Sequence, residues 1–277
     1  MRKIFLTMLF IIMPVVLFAQ DSDPETEDTL LCSDTLRVPA DELEGSEDFR
    51  FIINDAFGVG EKLTFTIGWK MIKAGEATME VAEILDHEER PVYRVRTIAK
   101  SFPFFDNFFK VRDTAETWVD VEGLFTWYFR KKLNEGSYEN EQVQFYDQRR
   151  NIVRAQDTAF IVPEYVQDVL SALYYVRTID LEVGDTVTVY NFEKDKCYPL
   201  DVIVHGKEII EVPAGKFKCI KVEPLLQSAG IFKHEGTLSV WLTDDRLKMP
   251  VLMRSKVVVG SIYAELTDYR IGELYEW

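Results

Sequence analysis

The chain has 277 residues and a formal net charge of −15, from 47 acidic against 32 basic residues. A field of that sign opposes phosphate backbones and anionic headgroups, so nucleic acid is not an expected partner. With 47% apolar and 13% aromatic residues, the chain is too rich in buriable surface for disorder and long enough for one large domain or two small ones.

The N-terminus, MRKIFLTMLFIIMPVVLFAQ, places Arg2 and Lys3 before an apolar run from Ile4 to Phe18 and then small Ala19. This is the layout of a secretory signal peptide, too short and Pro-interrupted for a membrane anchor. Residues 1–20 are therefore expected to be removed after Ala19 or Gln20, which takes the charge to −17 because they hold Arg2 and Lys3 and no acid. Residues 21–50 carry eleven acids and only Arg37 and Arg50 as bases, which reads as an acidic, mostly disordered leader. Cys32 is separated from the apolar run by acidic DSDPETEDT, so it is not read as a lipid-attachment cysteine.

A single β-rich domain is expected over 51–277. Leu63, Phe65, Ile67, Trp69 and Met71 alternate with Lys62, Thr64, Thr66, Gly68 and Lys70, the pattern of a half-buried strand. KAGEA is read as the turn of a first hairpin, returning through Ala77, Met79 and Val81, and DHEERP as the next turn. Strands follow through VYRVRTIAK, Val111–Val119, FTWYFRKKL, the NEGSYENEQVQFYDQ turn and strand, and NIVRAQDTAFI. One helix is expected at about 164–177, because Pro163 suits a first turn and Val166, Val169, Leu170, Leu173 and Tyr174 share a face. Turns then recur at VGD (Val183–Asp185), HGK (His205–Lys207), PAG (Pro213–Gly215), DDRLKMP (Asp244–Pro250) and VGS (Val259–Ser261). The fold class is thus mainly β: one curled antiparallel sheet or open barrel of about 10–14 strands with one principal helix.

Taken in order, GVGEKLTFTIGW, KAGEATMEV, KVRDTAETWVD, NEGSY, DVLSALYYVR, EVPAGKFKCIKVEP and GTLSVWLTDDRLKMPVLMRSKVVVGSIYAEL resemble the exported bacterial family catalogued as domain of unknown function 3108. The resemblance covers roughly residues 55–270. It implies an envelope protein with a curled antiparallel sheet and one helix, similar in fold to the open half-barrels of lipoprotein carriers. It brings no catalytic residue.

The residues themselves offer little chemistry. His87 and His205 are read as turn residues, His234 lies in FKHEGT, and no nucleophile, zinc, P-loop or dinucleotide motif occurs. No enzyme activity, metal or cofactor is expected. The cysteines do not form a scaffold; Cys197 and Cys219 are read as small hydrophobes, with a bridge between them as the alternative. Lys110, Arg112, Asp113, Glu116, Arg130 and Glu135 form a charged constellation, read as cross-strand ion pairs on a wet face whose cations lower the carboxylate pKa values.

SFPFFDNFFK stands out. Leaving Phe102, Phe104, Phe105, Phe108 and Phe109 in water forgoes roughly 7–15 kcal/mol of burial. If the stretch is helical from Pro103, then Phe104, Phe105, Phe108 and Phe109 fall on one side. They then form a permanent core cap, a movable lid over an apolar cavity lined by Trp69, Trp118, Trp127 and Phe129, or a bilayer-inserting patch, the last disfavoured by net charge. The expected function is an exported, non-enzymatic envelope protein, soluble in the periplasm or associated with the outer membrane. It is expected to bind or carry a lipid or other apolar envelope molecule in a half-barrel cavity. The alternative is a solid-cored module that docks on an envelope protein or glycan.

Overall fold

The computed structural model of the protein describes residues 45–225, 238–256 and 260–276. The expected signal peptide, residues 21–44 of the leader, Cys32, His234 and Val259 of the VGS turn lie outside them.

In a strand, alternation sends every second side chain to the same face. Along β1 (Lys62–Trp69) Leu63, Phe65 and Ile67 are buried while Lys62, Thr64 and Thr66 are not. The same selection runs through β2 (Ile72–His87), β3 (Arg90–Ser101), β4 (Arg112–Asp120), β5 (Thr126–Glu135), β6 (Tyr138–Asp147) and β7 (Ile152–Ala155), while β8 (Thr158–Ile161) buries no residue fully. It resumes in β9 (Thr186–Glu193), β10 (Lys196–Val212), β11 (Gly215–Leu225), β12 (Leu238–Thr243), β13 (Pro250–Lys256) and β14 (Ser261–Arg270). Among the described residues all are antiparallel neighbours in one 14-stranded sheet, ordered β8-β7-β6-β5-β4-β3-β2-β1-β14-β13-β12-β11-β10-β9.

The first and last strands of this meander meet in the middle of the sheet, where Lys62 of β1 faces Arg270 of β14. The free edges are therefore β8 and β9. The chain between them bonds to both sides: Val162 N–H donates to Asn151 O, Gln167 N–H to Tyr190 O, and Phe192 N–H to Gln167 O. Val162 thus extends the β7–β8 ladder while Gln167 covers the free edge of β9, so the segment leaving β8 joins the sides of a curled sheet whose edge strands do not pair directly.

Helix α2 (Val169–Arg177) then crosses the inside of the curl; a short α1 (Pro103–Asp106) precedes it in the chain. Asp168 caps α2, its carboxylate accepting from the N–H groups of Leu170 and Ser171 in a full capping box. The same carboxylate accepts from the hydroxyls of Thr117 (2.6 Å) and Thr126 (2.7 Å), inward residues of β4 and β5. At the other end Arg177, fully buried, forks onto Glu61 at 2.7 and 2.6 Å and donates to Ala56 O and Leu247 O. Phe57 packs edge-on against both Tyr93 (5.4 Å) and Tyr174 (4.7 Å). This end of the barrel, the β2–β3 end, is filled.

The helix is shorter than the apolar spacing predicts. It starts at Val169, because Asp168 out-competes Pro163 as a start signal and Tyr165 takes a left-handed φ of 59°. The first turn is at Lys70–Met71, not KAGEA: a bulge between Ile67 and Gly68 ends the clean alternation, and KAGEA lies within β2. HGK is also strand, the pairing of β10 with β11 absorbing it in a bulge between Val204 and Gly206. Ser46–Arg50, read with the leader, lie on the barrel: Ser46 N–H donates to Arg149 O, and the Phe49 ring meets Phe125 at 5.2 Å. Cys197 and Cys219 are both buried and form no disulfide.

Candidate functional site

The turns β1–β2, β3–β4, β5–β6, β7–β8, β9–β10 and β13–β14 share the other end, the rim. The phenylalanine stretch is the β3–β4 connection. Pro103 occupies the first position of α1 and Asn107 ends it after one turn. Backbone bonds pin both flanks: Phe102 N–H to Ala74 O at 2.9 Å and Gly136 N–H to Lys110 O at 2.7 Å. Arg112 holds Asp106 by a two-pronged ion pair, with Nη2 2.6 Å from Oδ2. The rings divide. Phe105 and Phe109 are half-buried against the main core, and Phe102 is half-buried at the helix entry. Phe104 and Phe108 are 67% and 68% exposed, with ring centroids 5.5 Å apart. A single helical turn places i and i+4 together, so 105/109 point in and 104/108 point out; the four do not share one covered side. Met71, 94% exposed, and Ile72 project from the adjacent β1–β2 turn.

Beneath this segment the barrel interior holds buried charged side chains among its apolar ones. Asp113 on β4 and Glu135 on β5 face inward and are buried, with Val111 bridging to Glu135. Burial pushes the Asp113 carboxyl up to about 6. Burial and then neighbouring Asp113, with which it hydrogen-bonds, push Glu135 up to about 8. The cation near them is buried Lys131, its Nζ 3.7 Å from Glu193 Oε1, and burial lowers its pKa while raising that of Glu193. This corrects the sequence reading, which put Asp113 and Glu135 on a wet face with lowered pKa values. Alternation decides it: Arg112, Glu116 and Arg130 have the opposite parity and pair outside with Asp106, Arg94 and Glu141, so the supposed partners face the other way.

The predicted cavity residues are dispersed. Trp69 lies at the rim end of β1, with Lys70 Nζ 4.7 Å above its ring. Trp118 is on the outer face, stacked on Tyr128 at 4.7 Å. Trp127 sits at the filled end, donating to Asp120 Oδ2 at 2.9 Å. Phe129 is core, packed with Leu133, Tyr146 and Phe192. These four line no common cavity. The histidines also differ from their turn assignment: His87 ends β2 and stacks on Trp118 and Trp127, and His205 lies within β10, 2.6 Å from Glu223.

A shallow groove of about 580 Å³ crosses the outer face of β14, β1, β2 and β3, walled by Lys62, Glu76, Lys100 and Asp268 with Ile98 on its floor. Lys100 and Glu76 pair across it at 3.1 Å. Among the described residues, no helix is long and apolar enough to cross a membrane.

Comparison with known proteins adds a family and a fold. The family model described as protein of unknown function (DUF3108) matches residues 64–267. The crystal structure of a β-barrel-like protein of the domain of unknown function DUF1849 from Brucella abortus is 10% identical with a TM-score of 0.55, covering 79% of this chain and 100% of that one. The overall barrel is thus shared with that protein. A candidate lipoprotein from Parabacteroides distasonis (12% identity, TM-score 0.35, 81% of this chain and 100% of that one) is also similar. So is a candidate exported protein with a YmcC-like fold from Bacteroides fragilis (14% identity, TM-score 0.29, 80% and 100%). No curated protein matches.

Proposed function

We propose, for a chain that belongs to the family described as protein of unknown function DUF3108, a non-enzymatic binding role in the cell envelope, in which apolar groups are engaged by the outside of the barrel rim. The observation that carries this is the outward pair Phe104 and Phe108, two-thirds exposed and in ring contact. Water-exposed aromatics held together on a backbone pinned at both flanks form a preorganised apolar surface, and such surfaces mark interaction sites. The interior favours this over carriage inside a half-barrel. Phe57, Tyr174 and Arg177 fill one end, and the inward side chains below the rim include buried Asp113, Lys131 and Glu135, which an acyl chain cannot solvate. Export rests on the signal-like first twenty residues.

Methionine methyl NMR separates the two locations, because the described methionines divide between rim and core: Met71 is 94% exposed, whereas Met79, Met249 and Met253 are 1%, 3% and 4% exposed. Titration with a twelve-carbon phosphocholine detergent below its micelle concentration is expected to move Met71 saturably and leave the other three in place. Phe104→Ser/Phe108→Ser abolishes that shift. Movement of Met79 and Met253 with Met71 unmoved identifies an interior carrier instead, and no response from any methyl ends the rim reading.

A further inference from the structure

We infer that the partner of this rim is an anionic lipid bilayer, met end-on. The inference rests on the rim reading and adds the headgroup chemistry. The net charge of −15 argues against such a partner only if it is evenly spread, and it is not. The exposed cations at the rim include Lys70, Lys110, Lys194 and Lys256, against exposed Glu139, Asp157 and Asp195, while Lys73 is paired with Glu265 and Asp106 with Arg112. The turns of the far end expose Glu88, Glu89, Glu182, Asp185, Asp244 and Asp245 against Lys216, Lys218 and Arg246.

Separation makes the difference usable. β1 runs from one end to the other in 8 residues, a rise of about 26 Å before tilt, and the Debye length at physiological ionic strength is about 8 Å. A bilayer at the rim therefore feels the lysines and is screened from the acids. Phe104, Phe108, Met71 and Ile72 supply the apolar surface that enters the interface, while flexible lysine stems keep their ammonium groups at headgroup level. Aromatic and apolar tips flanked by lysines fit a negative lipid surface better than an apolar protein face, which offers no charge to meet them.

The test is co-sedimentation of the full mature chain with vesicles of phosphatidylcholine alone and of phosphatidylcholine with one-third phosphatidylglycerol, at low and physiological salt. Four proteins are compared: wild type, Phe104→Ser/Phe108→Ser, Lys70→Glu/Lys110→Glu, and the far-end control Lys216→Glu/Lys218→Glu, each shown folded by circular dichroism. Expected are at least tenfold stronger binding to the anionic vesicles and its loss in the phenylalanine variant. The rim-lysine variant should weaken about tenfold or more, and the control should be unchanged. Equal binding to both vesicle types overturns the inference, as does a control as impaired as the rim-lysine variant. Binding to neither vesicle while Met71 still responds to detergent also overturns it but leaves the rim reading standing. If Met71 responds to no apolar probe, the rim reading itself falls.

Discussion

At the scale of single residues, the sharpest gap between spacing and structure is the pair Asp113 and Glu135. The sequence shows these two carboxylates among three cations; which cation each meets depends on strand parity and on the register Ala115↔Lys131, which places Lys131 on their side. The raised Glu135 pKa has a consequence for stability. Below about 4.5, the ordinary value, folded and unfolded chains both hold the proton; as pH rises toward about 8 the unfolded chain has released it and the folded chain has not. Stability therefore falls across that window and levels off once Glu135 ionises in the fold. Urea midpoints measured at pH 5 and pH 8 are expected to show this decline. Glu135→Gln should flatten it in part, with Asp113 and Glu193 keeping the remainder, and should be the more stable protein at pH 8. A wild-type midpoint that rises from pH 5 to pH 8 contradicts the buried-pair account.

At the scale of elements, the phenylalanine segment was legible as a short helical turn from Pro103, and the division of its rings was not. Helical spacing alone puts four rings within one broad arc. Where the arc is cut depends on how the turn seats between β3 and β4, and that is fixed by Phe102 bonding to Ala74 and by Phe109 lying over Gly136, where an added Cβ would fall 2.8 Å from the ring. The two kinds of phenylalanine should respond differently to truncation. Phe105→Ala is expected to cost about 2–4 kcal/mol, as partly buried core aromatics do. Phe108→Ala should stay within about 0.5 kcal/mol, as exposed positions do. Chemical denaturation checks both, and equal losses would mean that Phe108 is packed. Helix α2 teaches a related lesson: Val166 fits its apolar period but precedes the cap, and Asp168 was readable as the stronger start signal, three residues before Ser171.

At the scale of the whole molecule, Arg177 ties together parts of the chain more than a hundred residues apart. Its guanidinium joins the end of α2 to Glu61 before β1 and to the β12–β13 turn. Removing one partner of such a pair leaves an uncompensated buried charge, so Arg177→Met is expected to destabilise by about 3–5 kcal/mol. Glu61→Gln/Arg177→Met should recover part of that loss, which urea denaturation of the single and double variants measures; no recovery would mean that Arg177 acts through its carbonyl contacts instead. The chain's own alternation and turn spacing determined an antiparallel meander, one principal helix and an unusual aromatic turn, because these are local consequences of side-chain period and backbone preference. Tertiary structure alone decided that β1 pairs with β14, that the helix passes inside the curl, that Trp69 and Phe129 lie apart from Trp118 and Trp127, and that several exposed lysines of an acidic protein gather at one end. Each of those depends on register and closure across distant strands, where a shift of one residue turns every side chain to the other face.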